Sequence, residues 1–288
     1  MDNKRRGILF SISASLMFGL NPVFVKLALG SVNVGTMNVL LTLFSTLFFS
    51  LILVLSSGFT PFKVIFQNWK KVGLMGLVTA AFALLYAYGI SLSGPTNAAF
   101  LLQFGTVFTI IFGVAILKEK FTKAEGLGIL VAVVGVFVLA YGDLSIEILG
   151  VIVLVVASIL AALTNLLSKV YVKNIRPVTL ASGNSIFVSL FIIAYVGLFG
   201  NMQLNIPPEA AIYTAVGSIT GVVLSFILFY KALQIFEVSK AVTIRTMEPF
   251  LTAIFSFAIL ALVPNVNQLI GGIMIVIGVI ALSLSKTK

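Results

Sequence analysis

Polar residues in this chain come in short bursts, and between them lie ten almost uninterrupted apolar runs. They cover roughly 7–29, 35–57, 72–92, 97–117, 124–142, 148–169, 178–200, 211–235, 240–262 and 268–285. A helix needs about 20 apolar residues to cross a hydrocarbon core, and each run is near that length. The runs are continuously apolar rather than alternating, which predicts helices and not the strands of a barrel. Several gaps are so short that neighbouring helices must be antiparallel. Basic residues before the first run give it the look of a signal peptide. Asn21-Pro22 and Lys26 interrupt its apolar stretch, however, and the same run recurs at 150–172, so it reads as a retained helix.

Shifting the chain by 143 residues lays it on itself without a gap. Gly7 meets Gly150, Ala14-Ser15 meets Ala157-Ser158, and Lys26 meets Lys169. Further on, Ala98 meets Ala241, Thr109 meets Thr252, Phe112 meets Phe255, Gly128 meets Gly271 and Gly135 meets Gly278. An internal repeat fixes architecture before any other feature. Five helices per half is an odd number, so the second half enters the membrane upside down. The expected fold is therefore an all-α membrane protein of ten transmembrane helices, built as two inverted-topology repeats of five. The repeats span 1–143 and 144–288. Inverted repeats recur in secondary transporters, with the substrate near the midplane between the halves.

Composition agrees with a bilayer. Hydrophobic residues make up 60% of the chain and charged residues 9%, against about 25% charged in a soluble domain. The chain has no Cys and no His. That excludes disulfides, His- or Cys-ligated zinc or haem, and Ser-His or Cys-His catalysis. No metal, cofactor or catalytic set is expected, and there is no Walker A sequence to suggest ATP drive. The net charge of +10 does not point to nucleic acid, because the basic residues sit in the gaps between apolar runs. Lys4, Arg5, Arg6, Lys63, Lys70, Lys71, Lys118, Lys120, Lys123, Lys173, Arg176, Lys240, Lys286 and Lys288 all fall on one side, whereas the other holds only Asp143, Glu147 and Glu209. The positive-inside rule then places both termini in the cytoplasm, in the cell membrane. Trp69, beside Lys70 and Lys71, suits the interface.

Local motifs add a family resemblance. Tyr86-Ala87-Tyr88-Gly89 leads through Asn97-Ala98-Ala99 to Lys118-Glu119-Lys120 and then to Gly126 and Gly135. In the second half, Tyr230-Lys231-Ala232 leads to Ser239-Lys240-Ala241 and to Glu248-Pro249. Together with the topology, this resembles the EamA-type exporters of the drug/metabolite transporter superfamily over nearly the whole chain. The resemblance implies export of small metabolites without naming one. Two departures stand out: Glu119 has Leu262 as its counterpart, and the Pro249 position holds Thr106 in the first half.

An ionisable group within a membrane helix usually faces the bundle interior or a water-filled path. Arg245 and Glu248 lie three residues apart, on one helical face. Pro249 cannot donate to the carbonyl of Arg245, so a kink is expected there. A carboxylate, a guanidinium and a freed carbonyl could bind a zwitterion or couple protons; a structural ion pair is the other reading. Gln103 and Gly105 stand opposite them in the repeat. Asn21-Pro22 is matched by Thr164-Asn165, which suits a gate or cavity wall as well as a plain helix–helix contact. Tyr86, Tyr230 and Lys231 complete the candidates for substrate or proton contact, and Pro22, Pro249 and Gly105 those for kinks or gating. Snorkelling is the alternative for Lys231, and ordinary packing for the tyrosines.

The expected activity is secondary-active export of small metabolites such as amino acids by alternating access. An importing or multidrug member of the same superfamily and a passive channel remain the alternatives. The partners implied are a small-molecule substrate, the bilayer and candidate coupling protons, in a monomer or homodimer.

Overall fold

The structure is a computed structural model describing residues 3–117, 123–141, 147–200, 202–235, 241 and 244–285. Glu119 with its flanking Lys118 and Lys120, Asp143, Ser239-Lys240 and the terminal Lys286 and Lys288 lie outside the described residues. Among the described residues every regular element is a helix. In order they are α1 (Asn3–Leu29), α2 (Val34–Ser57), α3 (Thr60–Gln67), α4 (Trp69–Leu102), α5 (Phe104–Leu117), α6 (Lys123–Tyr141), α7 (Ile148–Tyr171), α8 (Pro177–Phe199), α9 (Pro208–Gly217), a π-helical segment (Ser218–Leu224), α10 (Ser225–Ile235), a 3-10 turn (Arg245–Met247), α11 (Glu248–Leu260) and α12 (Val266–Ser285). Six segments within the described residues are long and apolar enough to cross a membrane. Leucines such as Leu47, Leu51 and Leu55 are exposed on α2, as lipid-facing residues would be.

Two predicted helices join in α4. At Gly94 the backbone turns to φ 78°, ψ 167°, with Pro95 next. Only glycine holds such a conformation without strain. The packing of α7 shows that the two limbs reverse direction here. Gly150 lies against Leu92 and Ser93, Gly89 against Leu154, and Gly105, beyond the turn, against the backbone of Ser158. Residue numbers on α7 therefore rise as those of the first limb fall, and rise with those of the second. A Gly94→Ala substitution is expected to cost about 1–3 kcal/mol, read as a lower thermal unfolding midpoint in detergent. No loss would mean that the turn relaxes.

The gap between α2 and α4, a loop by sequence, contains the short helix α3. Pro61 sits in its first turn, where a missing N–H costs nothing. Phe59 and Phe66 are exposed on it beside Trp69, as at a membrane interface.

Two of the helix crossings that hold the bundle depend on small side chains. In the α6–α12 crossing Gly135 meets the carbonyl of Gly271 and the backbone of Ile275, and Gly278 meets the carbonyl of Gly128 and Ala132. In the α2–α8 crossing Gly35 lies near Val196. The Thr46 hydroxyl is 2.9 Å from that of Ser185 and 2.8 Å from that of Ser189. The Ser182 hydroxyl donates to the carbonyl of Phe49 at 3.3 Å. Both crossings are antiparallel. In each, a position meets its own counterpart or the neighbourhood of it: Thr46 and Ser189 are 143 residues apart.

Candidate functional site

A cavity of about 1380 Å³, counting its open mouth, lies where α1, α2, α4, α5, α7, α8, the π-helical segment, α10 and the 3-10 turn converge. Among the described residues its walls carry one positive and one negative charge, Arg245 and Glu248.

These two residues straddle a break rather than sharing a continuous helix. Sequence pattern predicts one helix over 240–262 with a kink. Instead Arg245–Met247 form a 3-10 turn and a new helix starts at Glu248. Pro249 enforces the break. Its nitrogen has no hydrogen, so the carbonyl of Arg245 loses its normal partner four residues on. The Glu248 N–H takes that carbonyl instead, one residue early. The side-chain amide of Gln103 donates to it as well, at 3.4 Å, from the other half of the chain. Pro249 thus stands in the first turn of α11, where proline is preorganised for helix. Glu248 shares that first turn, where the helix dipole favours an anion by about 0.3–1 kcal/mol.

The same distortion occurs at the matching place in the first half. Gln103 interrupts α4 and α5, and the N–H groups of Gln103 and Thr106 bond three residues back, to Phe100 and Gln103. Both wall helices therefore tighten beside the cavity.

Arg245 donates to one carboxylate oxygen of Glu248 through Nε at 3.2 Å and Nη2 at 2.8 Å. Glu248 is 3% exposed. The guanidinium lies between two aromatic faces, 4.0 Å from the ring centre of Phe18 and 4.7 Å from that of Phe229. Cation–π contact favours Arg at both faces, and a planar guanidinium suits this slot better than an ammonium. One carboxylate oxygen of Glu248 remains without a hydrogen bond from the described residues. The pair is neutral as a whole, yet each member keeps capacity for an opposite charge entering the cavity.

The remaining polar lining is amide and hydroxyl. Thr79 donates to the side-chain oxygen of Asn184 at 3.3 Å, and its hydroxyl is 3.4 Å from that of Thr164. Ser168 donates to the Tyr230 hydroxyl at 3.2 Å. Tyr86 stacks on Phe82 with ring centres 5.4 Å apart. The π-helical segment brings Gly221 against Asn21, where a Cβ would approach the Asn21 side chain to 2.6 Å. Short π segments mark functional sites often.

Of the residues singled out by sequence, Glu248, Arg245, Gln103, Asn21, Asn165, Thr164, Tyr86, Tyr230 and Gly105 all line this cavity. Lys231 does not; it is exposed in a separate cleft, with its ammonium 5.7 Å from the ring centre of Phe10. Pro22 and Pro249 are absent from the lining. Helix α1 continues through Pro22, and Pro249 begins a helix where a mid-helix kink was expected. Sequence reasoning passed over the polar stripe of α2 (Asn38, Thr42 and Ser45) and its partners on α8 (Asn184 and Ser185), all of which line the cavity. The signal was there: spacings of four and three put the α2 residues on one face of the helix.

Comparison with known proteins gives a consistent picture. The EamA-like transporter family matches the chain twice, over residues 5–141 and 148–284. An uncharacterized transporter of Methanothermobacter thermautotrophicus is 24% identical, covering 96% of this chain and 85% of that protein. The uncharacterized transporter YyaM of Bacillus subtilis is 25% identical over 75% of this chain and 72% of that protein. A crystal structure of another protein, 15% identical, has the same fold with a TM-score of 0.72, over 98% of this chain and 99% of that one.

Proposed function

This chain belongs to the EamA-like transporter family, present in two copies within one integral membrane protein, and we propose that it exports small zwitterionic metabolites such as amino acids by alternating access. The observation that carries this reading is the buried Arg245–Glu248 pair exposed to a cavity between the halves. A substrate carboxylate would pair with Arg245 and its ammonium with Glu248, each replacing part of the existing ion pair. Amide and hydroxyl groups on α2 and α8 would hold the uncharged remainder.

We also propose ten membrane passes in two inverted repeats, 1–143 and 144–288. Support comes from the two family matches, which are offset by 143 residues, and from the antiparallel crossings of α6 with α12 and α2 with α8. Helices that are mates in a repeat and yet run antiparallel require a two-fold axis perpendicular to them, hence in the membrane plane. Exchange of conformation between such halves is the usual basis of alternating access. The one-sided basic residues support cytoplasmic termini, by the positive-inside rule.

Counterflow in proteoliposomes tests the transport mode. A carrier accelerates uptake of labelled amino acid when unlabelled amino acid is present on the opposite side; a channel shows no acceleration, and that result would reject alternating access. Orientation has its own test, because the chain lacks cysteine. In intact cells an impermeant maleimide is expected to label Ser31→Cys and to leave Lys173→Cys unlabelled. The reverse pattern would invert the topology.

A further inference from the structure

The geometry points to a phosphate-binding cleft, separate from the central cavity, at the end of the bundle where α8 begins. The cleft lies between α2, α8 and α10, over Leu53, and is lined by Ser56, Arg176, Thr179, Lys231 and Gln234. Arg176 and Lys231 are both exposed there, and among the described residues no carboxylate joins them in the lining. Arg176 is also the N-cap of the 23-residue helix α8, with no side-chain capping bond, and Pro177 follows it. The next two N–H groups, of Val178 and Thr179, fall in the turn that has no acceptor within its own helix. A helix start of this kind favours an anion through its dipole and free donors.

Thr179 supplies an independent sign of a ligand. It is 4% exposed, lines the cleft, and makes no hydrogen bond to any described residue. Its oxygen is not among the sealed, unpartnered ones of the described residues, so it opens to the cleft and is free to donate there. An oxyanion resting on the start of α8 would accept from it while lying between the guanidinium and the ammonium. Two cations, a free hydroxyl and free backbone donors match the several oxygens of a phosphate group better than a single carboxylate.

Lys231 was the one charged candidate that the central cavity did not take in, and this cleft gives it a role. The flanking surface of α2 is apolar and open, with Leu55 78% exposed. That arrangement suits the headgroup of an anionic phospholipid whose chains lie along α2, as in basic clefts between membrane helices. A free phosphate ion would use the same donors. The orientation proposed above puts the cleft on the cytoplasmic leaflet, but its chemistry does not depend on that orientation.

The test uses the full chain in nanodiscs of neutral phosphatidylcholine, with thermal unfolding as the readout. One arm replaces a rising fraction of the lipid with phosphatidylglycerol; the other adds inorganic phosphate at constant ionic strength. The unfolding midpoint of the wild type is expected to rise in the lipid arm. A rise in the phosphate arm alone would identify the free ion as the ligand. Arg176→Gln/Lys231→Gln is expected to weaken the response about 30-fold in concentration, at about 1 kcal/mol per basic residue. Thr179→Val keeps both charges and is expected to weaken it too. Lys70→Gln/Lys71→Gln, which removes two basic residues outside the cleft, is expected to leave it intact. An unresponsive wild type in both arms would overturn the cleft, as would equal losses in the Lys70/Lys71 and Arg176/Lys231 variants.

Discussion

Glu248→Gln is expected to weaken substrate half-saturation by about 30-fold to several thousand-fold in proteoliposome exchange. The range corresponds to about 2–5 kcal/mol for truncating one partner of a buried, hydrogen-bonded charge pair. The amide keeps the shape of the carboxylate and the first turn of α11, so the loss reports charge. Running the assay over a pH series divides the two roles of Glu248. If it couples protons, the pH dependence seen in the wild type disappears with the carboxylate. If it only holds an ammonium, the affinity falls and the pH dependence stays. Unchanged affinity and pH dependence would remove Glu248 from the mechanism. Stability supplies the control. Arg245→Met leaves a carboxylate that is 3% exposed without its partner, which costs about 3–5 kcal/mol. The double variant Arg245→Met/Glu248→Gln is expected to recover most of that stability and none of the transport. An ion pair that served only to hold helices together would behave differently, because the double variant would then still transport.

Gly135→Val and Gly278→Val are expected to destabilise the protein by similar amounts, each about 1–3 kcal/mol or more. At both positions a Cβ would meet backbone of the facing helix: 2.8 Å from the carbonyl oxygen of Gly271 in one case and 2.5 Å from that of Gly128 in the other. Backbone cannot rotate away as a flexible side chain can, so α6 and α12 must separate. Separation in lipid forfeits close van der Waals packing, which is the main attraction between helices there. Thermal unfolding of each purified variant measures the loss. Very different losses at the two positions would show that the crossing is not shared equally between the halves.

Much of this molecule was legible in its sequence because a bilayer imposes a simple code. An apolar run of sufficient length is a helix, so α1, α2, α7 and α8 follow from hydropathy alone. Rare polar residues within such runs have few places to go, and nine of the twelve singled out line one cavity. Three things were harder to read. The break at 93–96 between the third and fourth runs was legible, but the single positive-φ glycine that makes it, Gly94, was not. The hydroxyls and amides of α2 and α8 are common in membrane helices as local backbone partners: Thr42, for one, donates to the carbonyl of Asn38, so their shared face on α2 is a weaker signal than a charge would be. Lys231 is ambiguous for a different reason. Its side chain is long enough that the direction it takes, inward or along the helix to the surface, decides its role.

The link between Gln103 and Arg245 has an evolutionary consequence. Pro249 creates the deficit at the Arg245 carbonyl, and a side chain from the other copy of the repeat helps to fill it. The two positions are therefore not free to drift separately. A lineage that replaced Pro249 with alanine would regain a backbone donor and relax this one demand on position 103, whereas one that lost Gln103 first would leave the Arg245 carbonyl with the Glu248 N–H as its donor among the described residues. In the order of mutation, Pro249→Ala is permissive for Gln103→Leu and not the converse. A double-mutant cycle on unfolding midpoints is expected to show that non-additivity. The once-identical copies would by this route have become obligate to one another, which gives a fused duplication a reason never to separate again.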